Sequence, residues 1–231
     1  MHKLPKHPSE ITKDYGYNSF NNLKITFINM PLRESATPNV PPEGPGILAS
    51  ICRNYGADPY ILDLNSYRTK DEESEKLGMS NGRYLSLSET ENLIVAHLSK
   101  NGDQDVIAFS GIITTLKWQE NVAKIIRKHL PNCFMVSGNG LATEIKRGLF
   151  HFIPELDAVA RSEGDDVILA ILNDAKSIKE NGIDKAYKTG KLSPYYIGEY
   201  RNKHRFQYEG NRPLNLDSLP YAALDLLETD P

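Results

Sequence analysis

Cysteine is nearly absent. Cys52 and Cys133 are the only two in 231 residues, and each stands alone in an apolar stretch. Without a cysteine cluster the chain can hold neither a structural zinc nor an iron–sulfur centre of its own. Two isolated thiols fit a reducing compartment, so a cytoplasmic location is expected. Excess charge of one sign is also missing: 27 basic and 30 acidic residues leave a net charge of −3, with no Lys/Arg block. Nucleic acid is therefore not an expected partner. No apolar run approaches the roughly eighteen residues of a membrane helix, so no membrane partner is expected either. Met1 to Asn22 is polar and carries Pro5 and Pro8, unlike a signal peptide. The six histidines (His2, His7, His97, His129, His151, His204) all fall outside the loops that follow the first four strand-like runs. No Ser-His-Asp arrangement can be placed, and no catalytic residue is assigned.

What the chain does have is a regular alternation of β-rich and helix-periodic segments. Lys24 to Met30 reads as the first strand. A helix follows to about Tyr55, with Ile47, Leu48, Ile51, Cys52 and Tyr55 on one face and Gly56 as its stop. Pro59 to Leu64 is the second strand. Thr69 to Ser88 is polar and reads as a loop or a loosely held insertion. A helix over Glu89 to Lys100 leads to the third strand, Asp105 to Phe109. The next helix, about Leu116 to Leu130, turns Val122, Ile125, Ile126 and His129 inward. Cys133 to Val136 is the fourth strand, Glu144 to Phe152 a short helix, and Leu156 to Ala160 the fifth strand. Glu163-Gly164-Asp165-Asp166 opens a further helix, its acids at the positive end. This order predicts an α/β fold with a doubly wound, five-stranded parallel sheet. After Asp174 the periodicity fades. Tyr195 to Gln207 reads as a hairpin and Leu214 to Tyr221 as extended chain. Residues 1–22 are thus read as an extension, 23–176 as the α/β domain and 177–231 as an arm or connector.

Three segments stand out as candidate binding elements. In Val106 to Thr115, an apolar run ends in Ser110-Gly111-Ile112-Ile113-Thr114-Thr115. Hydroxyls there suit a polar ring or phosphate, and Gly111 admits close approach of a ligand to the backbone. Alternatively, Ser110 and Thr114 satisfy loop amides and Thr115 caps the next helix. In Ser137-Gly138-Asn139-Gly140-Leu141-Ala142-Thr143 the two glycines clear space for a bulky flat group. The third glycine of a dinucleotide fingerprint is missing, so a dinucleotide cofactor is not expected. If the ligand runs between these two loops, Gly140→Val should block it. The long loop from Pro31 to Pro45 contains Leu32-Arg33-Glu34-Ser35, and its length suggests a functional cover. Arg33 and Glu34 also read as a solvated ion pair.

In their order these segments resemble the amino-terminal cobalamin-binding domain of cobalamin-dependent radical S-adenosylmethionine enzymes. The resemblance runs through Lys24-Ile-Thr-Phe-Ile-Asn-Met-Pro31, Gly46-Ile-Leu-Ala49, Ile61-Leu-Asp-Leu64, the Ser110 to Thr115 loop, the Ser137 to Thr143 turn and Arg161-Ser-Glu-Gly164. Leu216-Asp-Ser-Leu-Pro-Tyr221 is similar to the connector that precedes the radical domain. The resemblance implies a flavodoxin-like fold holding cobalamin with its benzimidazole tail pulled off cobalt and buried in the sheet crevice. Ser110 and Thr114 or Thr115 would contact that tail, with Gly111 and Ile112 beside them and Gly138, Asn139, Gly140, Leu141 and Ala142 flanking it. Glu163 and Gly164 would border the nucleotide end, and Pro31, Arg33 and Glu34 would lie near the corrin's lower face.

The Asp-x-His-x-x-Gly motif of methionine synthase is absent, so the resemblance implies base-off cobalamin with no histidine on cobalt and no protein ligand to a metal. The family's usual Gly-Gly after the fourth strand is interrupted by Asn139. No Cys-x3-Cys-x2-Cys motif occurs, so an iron–sulfur cluster and S-adenosylmethionine would belong to a radical domain acting in cis or in trans. The alternative is a flavodoxin-like domain without a corrinoid, serving as an interaction scaffold.

Overall fold

Lys24–Asn29, the first strand (β1), is buried along its middle on both faces. Ile25 and Phe27 point into one apolar cluster and Ile28 into another. Thr26 shares the second face and donates through Oγ1 to Gln104 Oε1 at 2.9 Å, with His97 Nε2 also at 2.9 Å. A strand apolar on both sides belongs inside a parallel sheet with helices on each face. The structure, a computed structural model, has that form and describes residues 15–16, 18–32, 41–212 and 216–228. Arg33 and Glu34 lie outside the described residues.

The remaining elements are α1 (Glu43–Asn54), β2 (Asp58–Asp63), α2 (Glu72–Lys76), α3 (Leu87–Asn101), β3 (Val106–Ser110), α4 (Leu116–His129), β4 (Phe134–Gly138), α5 (Asn139–Ile145), α6 (Leu149–Phe152), β5 (Ala158–Ser162), α7 (Ile168–Asn181), α8 (Ile183–Lys188), β6 (Tyr196–Glu199), β7 (His204–Gly210) and β8 (Leu227–Glu228). The sheet order is β6-β7-β5-β4-β3-β1-β2-β8, parallel throughout except for the β6–β7 hairpin. Its centre, β2-β1-β3-β4-β5, is the expected five-stranded flavodoxin-like sheet. Helices α1 and α7 cover one face; α3, α4, α5 and α6 cover the other.

Several local expectations change. The polar segment Thr69 to Ser88 is ordered. Asp71 and Ser74 form a capping box for α2, Thr69 and Arg83 pair as an isolated antiparallel bridge, and Arg83 grips Asp71 (2.6 Å) and Glu89 (2.8 Å). Such order comes from caps and ion pairs rather than apolar periodicity, so a periodicity reading passes over it. His129 is half-buried and meets Glu91 at 2.7 Å instead of entering the core, and Gln119 and Ala123 fill inward positions of α4. Helix α1 buries Pro45, Gly46, Ala49 and Ser50 beside Ile51 and Cys52, a face rotated from the expected one.

The stretch after β4 is not a turn: α5 begins at Asn139 itself. The hairpin belongs to the main sheet. β7 runs parallel to β5 from Ala158↔Phe206 to Ser162↔Gly210, and Phe206 and Tyr208 are fully buried. Burial pushes the Cys133 thiol up to about 12 and that of Cys52 higher still, so both are packing groups.

Candidate functional site

The chain leaves β1 for one edge of the sheet, then returns to start β3 on the other side of β1. Such a reversal opens a crevice at the carboxyl ends of the strands. Here it is a cleft of about 630 Å³ between the sheet, α1 and α7, inside the span of about 300–1,000 Å³ usual for small-molecule sites.

Strand register builds it in layers. Phe27, Ala108 and Val136 sit side by side on β1, β3 and β4 and form the floor. Two residues later along the same strands, Ser110 stands opposite Gly138, and Ala160 of β5 completes that level of the lining. Ile47 and Leu48 of α1 wall one side, Ile168 and Ile171 of α7 the other. Polar side chains of the lining include Asn139, Ser162, Glu163 and Arg212 towards the rim and the buried Asp165.

Backbone geometry holds the rim in place. Asn139 (φ 68°) and Ser162 (φ 63°) both occupy the left-handed region directly at the ends of β4 and β5, a conformation that costs a non-glycine residue about 1 kcal/mol or more. Side chains compensate. Asn139 donates through Nδ2 to Ser110 Oγ at 3.2 Å and accepts from the Gly140 amide at 2.6 Å. The Thr143 hydroxyl donates to the Asn139 carbonyl (3.1 Å) and accepts from the Ser162 amide (3.0 Å), tying the two strand ends together.

A strap crosses the mouth. After β7, Asn211 donates through its amide and Nδ2 to Asp166 at 2.7 and 3.0 Å. Leu216 and Leu219 line the cleft. Ser50 then donates to the Tyr221 carbonyl (2.6 Å), and the Ala223 amide to that of Gly46 (3.0 Å), before β8 pairs with β2. A Cβ at Gly46 would stand 2.8 Å from the Cβ of Ala222, so only glycine lets the strap lie this close.

Of the residues singled out in the sequence, Ser110, Gly138, Asn139, Glu163 and Gly164 line the cleft. The others do not. Thr115 is fully buried and donates to the Ile112 carbonyl at 2.8 Å, with no side-chain cap on α4. Leu141 and Ala142 are buried in the core of the opposite face, because α5 starts immediately and turns them away. Gly111 is closed off behind Thr115 and Gln119; a Cβ there would fall 2.7 Å from Gln119 Nε2. Gly140 faces Ile112, and Ile112 and Thr114 are exposed outside the lining. Pro31 is buried just beyond β1, also outside it. Of the two glycines, Gly138 and not Gly140 lines this cleft.

The floor residues, Ser162, Thr143 and the strap were missed. A signal was present for the floor: Ala108/Ser110, Val136/Gly138 and Ala160/Ser162 place small side chains two apart, on one face of each strand. The strap, Leu216 to Tyr221, reads in the sequence as a connector, and no local pattern marks it as part of the cleft.

A larger groove, about 850 Å³, lies at the amino ends of the strands. Its charges answer one another: Arg127 and Lys203 on Asp157 (2.9 and 2.7 Å), Lys179 on Asp105 (2.6 Å). The described residues hold no group of three or more His, Cys, Asp or Glu placed to bind a metal, and no helix among them is long and apolar enough to cross a membrane. Chemically, the upper cleft is suited to holding an apolar, flat group at depth with its polar end at the rim.

No family model matches the chain, and neither does any curated protein. Among solved structures it is similar to the cobalamin-dependent S-adenosylmethionine radical enzyme OxsB, determined with aqua-cobalamin and S-adenosylmethionine bound. The TM-score is 0.60 at 15% identity, over 89% of this chain and 25% of that one. A candidate phosphomethylpyrimidine kinase from Bacteroides thetaiotaomicron reaches a TM-score of 0.33 at 16% identity, over 74% of this chain and 60% of that one, too low to inform the fold. The chain spans about a quarter of OxsB, and what the likeness establishes is the fold: a mostly parallel, flavodoxin-like α/β sheet domain.

Proposed function

We propose that this chain is a cobalamin-binding module, holding the nucleotide tail of the cofactor in the cleft at the carboxyl ends of β1, β3, β4 and β5. One observation carries the reading. Ser110 and Gly138 face each other at the ends of adjacent strands, above a floor of Ala108 and Val136 and beside Ala160, so the crevice is open where bulkier residues would close it. The sequence resemblance and the fold shared with part of OxsB support the same reading. In it, Gly138 and Ala160 flank the tail, and Ser110, Asn139 and Ser162 serve its polar end. When bound, cobalamin supplies a cobalt centre for methyl transfer or related radical chemistry, with a radical S-adenosylmethionine domain in cis or in trans providing the cluster. In this reading the tail is held in the cleft away from cobalt, so the cofactor is base-off and no histidine ligand is assigned.

The test is direct. Incubation with hydroxocobalamin followed by desalting should leave a red protein with about one equivalent of corrinoid and a base-off absorption spectrum. A colourless protein would favour the interaction scaffold. A nitrogen-ligated spectrum would contradict the base-off assignment.

A further inference from the structure

The floor of the cleft differs from its rim in one respect that bears on which cobamide it accepts. Among the described residues, the floor and side walls are Phe27, Ala108 and Val136 with Leu48, Ile168 and Ile171, and none of these side chains carries a hydrogen-bonding atom. The polar side chains belong to the last residue of a strand or to residues beyond it. For Ser110 and Ser162 that is about 6–7 Å or more along the strands from the floor, at two residues of strand rise or more. Backbone groups cannot substitute for them. β3 is paired on both sides, with β1 and β4, so its amides and carbonyls are committed to the ladders.

From this we infer that the cleft selects cobamides by their lower base, accepting a benzimidazole and discriminating against a purine. The inference rests on the proposed function above. The dimethyl edge of a benzimidazole brings only carbon to the floor. Adenine in the same place brings an exocyclic amine and two pyrimidine-ring nitrogens, which water satisfies in solution and nothing at the floor satisfies once buried. An apolar pocket rejects an isostere that adds polar groups by the desolvation those groups do not recover, a modest factor of roughly 10² for one hydroxyl. Val136, at the β4 end of the floor, is the specificity-determining position: its isostere threonine would introduce one hydroxyl without changing the shape.

The experiment compares equilibrium binding of hydroxocobalamin and of the adenine-containing cobamide to the full chain, by absorption titration and ultrafiltration. Cobalamin should bind at least about tenfold more tightly, and Val136→Thr should narrow the ratio chiefly by improving the adenine form. Equal affinities, or a preference for adenine, would overturn the selectivity while leaving the binding function standing. Retention of neither cobamide would overturn both.

Discussion

Gly138 has extended backbone (φ −125°), so any residue can adopt its conformation. A Cβ built there meets only the carbonyl oxygens of Ala160 and Phe109, each at 3.8 Å. Its role is to leave volume free, not to relieve strain. Gly138→Val should therefore fold with an unchanged circular dichroism spectrum yet lose corrinoid retention by filling the channel. Gly140→Val, pointing at Ile112, should retain it. If the two variants behave alike, the tail does not run past β4. The contrast also marks what the sequence disclosed at this scale. Both glycines were visible as candidates, but their two-residue spacing suggests a shared face only if the chain remains a strand. Helix α5 begins at Asn139 and separates them.

At the scale of elements, the hairpin β6–β7 was legible from its aromatic residues, but its place in the sheet was not. Arg205 shows why. It is essentially fully buried and donates to the carbonyls of Tyr200 (3.2 Å), Pro154 (3.2 Å) and Leu156, with its guanidinium carbon 4.8 Å from the Phe150 ring centre. Burial holds its pKa below the usual arginine value. An arginine in a hairpin reads as solvated, and only the fold supplies the three carbonyls that satisfy it in the interior. Arg205→Ala should destabilise the protein by about 2–4 kcal/mol, since it strands those carbonyls and removes the packing of the stem. Urea denaturation checks this; a loss below about 0.5 kcal/mol would mean the hairpin docks through Phe206 and Tyr208 alone.

Across the whole molecule, Asp174 joins the carboxyl-terminal region to the sheet domain. It is fully buried on α7 and accepts from the Ser193 amide (2.7 Å), the Ser193 hydroxyl (2.5 Å) and the Tyr208 hydroxyl (2.8 Å). Burial raises its pKa, outweighing those hydrogen bonds. The folded state thus holds this proton more tightly than the unfolded chain. Its favourable contribution is complete below the ordinary carboxylate pKa of about 3.9 and is lost as pH rises through the raised folded value. Asp174→Asn should remove that component. The stability difference between variant and parent, followed by thermal melts from acid to neutral pH, should shift in the variant's favour with rising pH and then level off. A difference independent of pH would mean the carboxyl is not perturbed in the fold.

Sequence alone determined the alternation of elements, the parallel character of the sheet and the strand ends from which the cleft is built. Apolar runs and helical spacing are local, and burial on both faces leaves its mark in consecutive residues. Which of those loop residues share a cleft was decided by tertiary structure. Strand register set Ser110 against Gly138, an immediate helix start sent Leu141 and Ala142 to the other face, and a distant strap brought Leu216 and Leu219 over the mouth. Such juxtapositions depend on contacts between residues far apart in the chain, which no local pattern encodes.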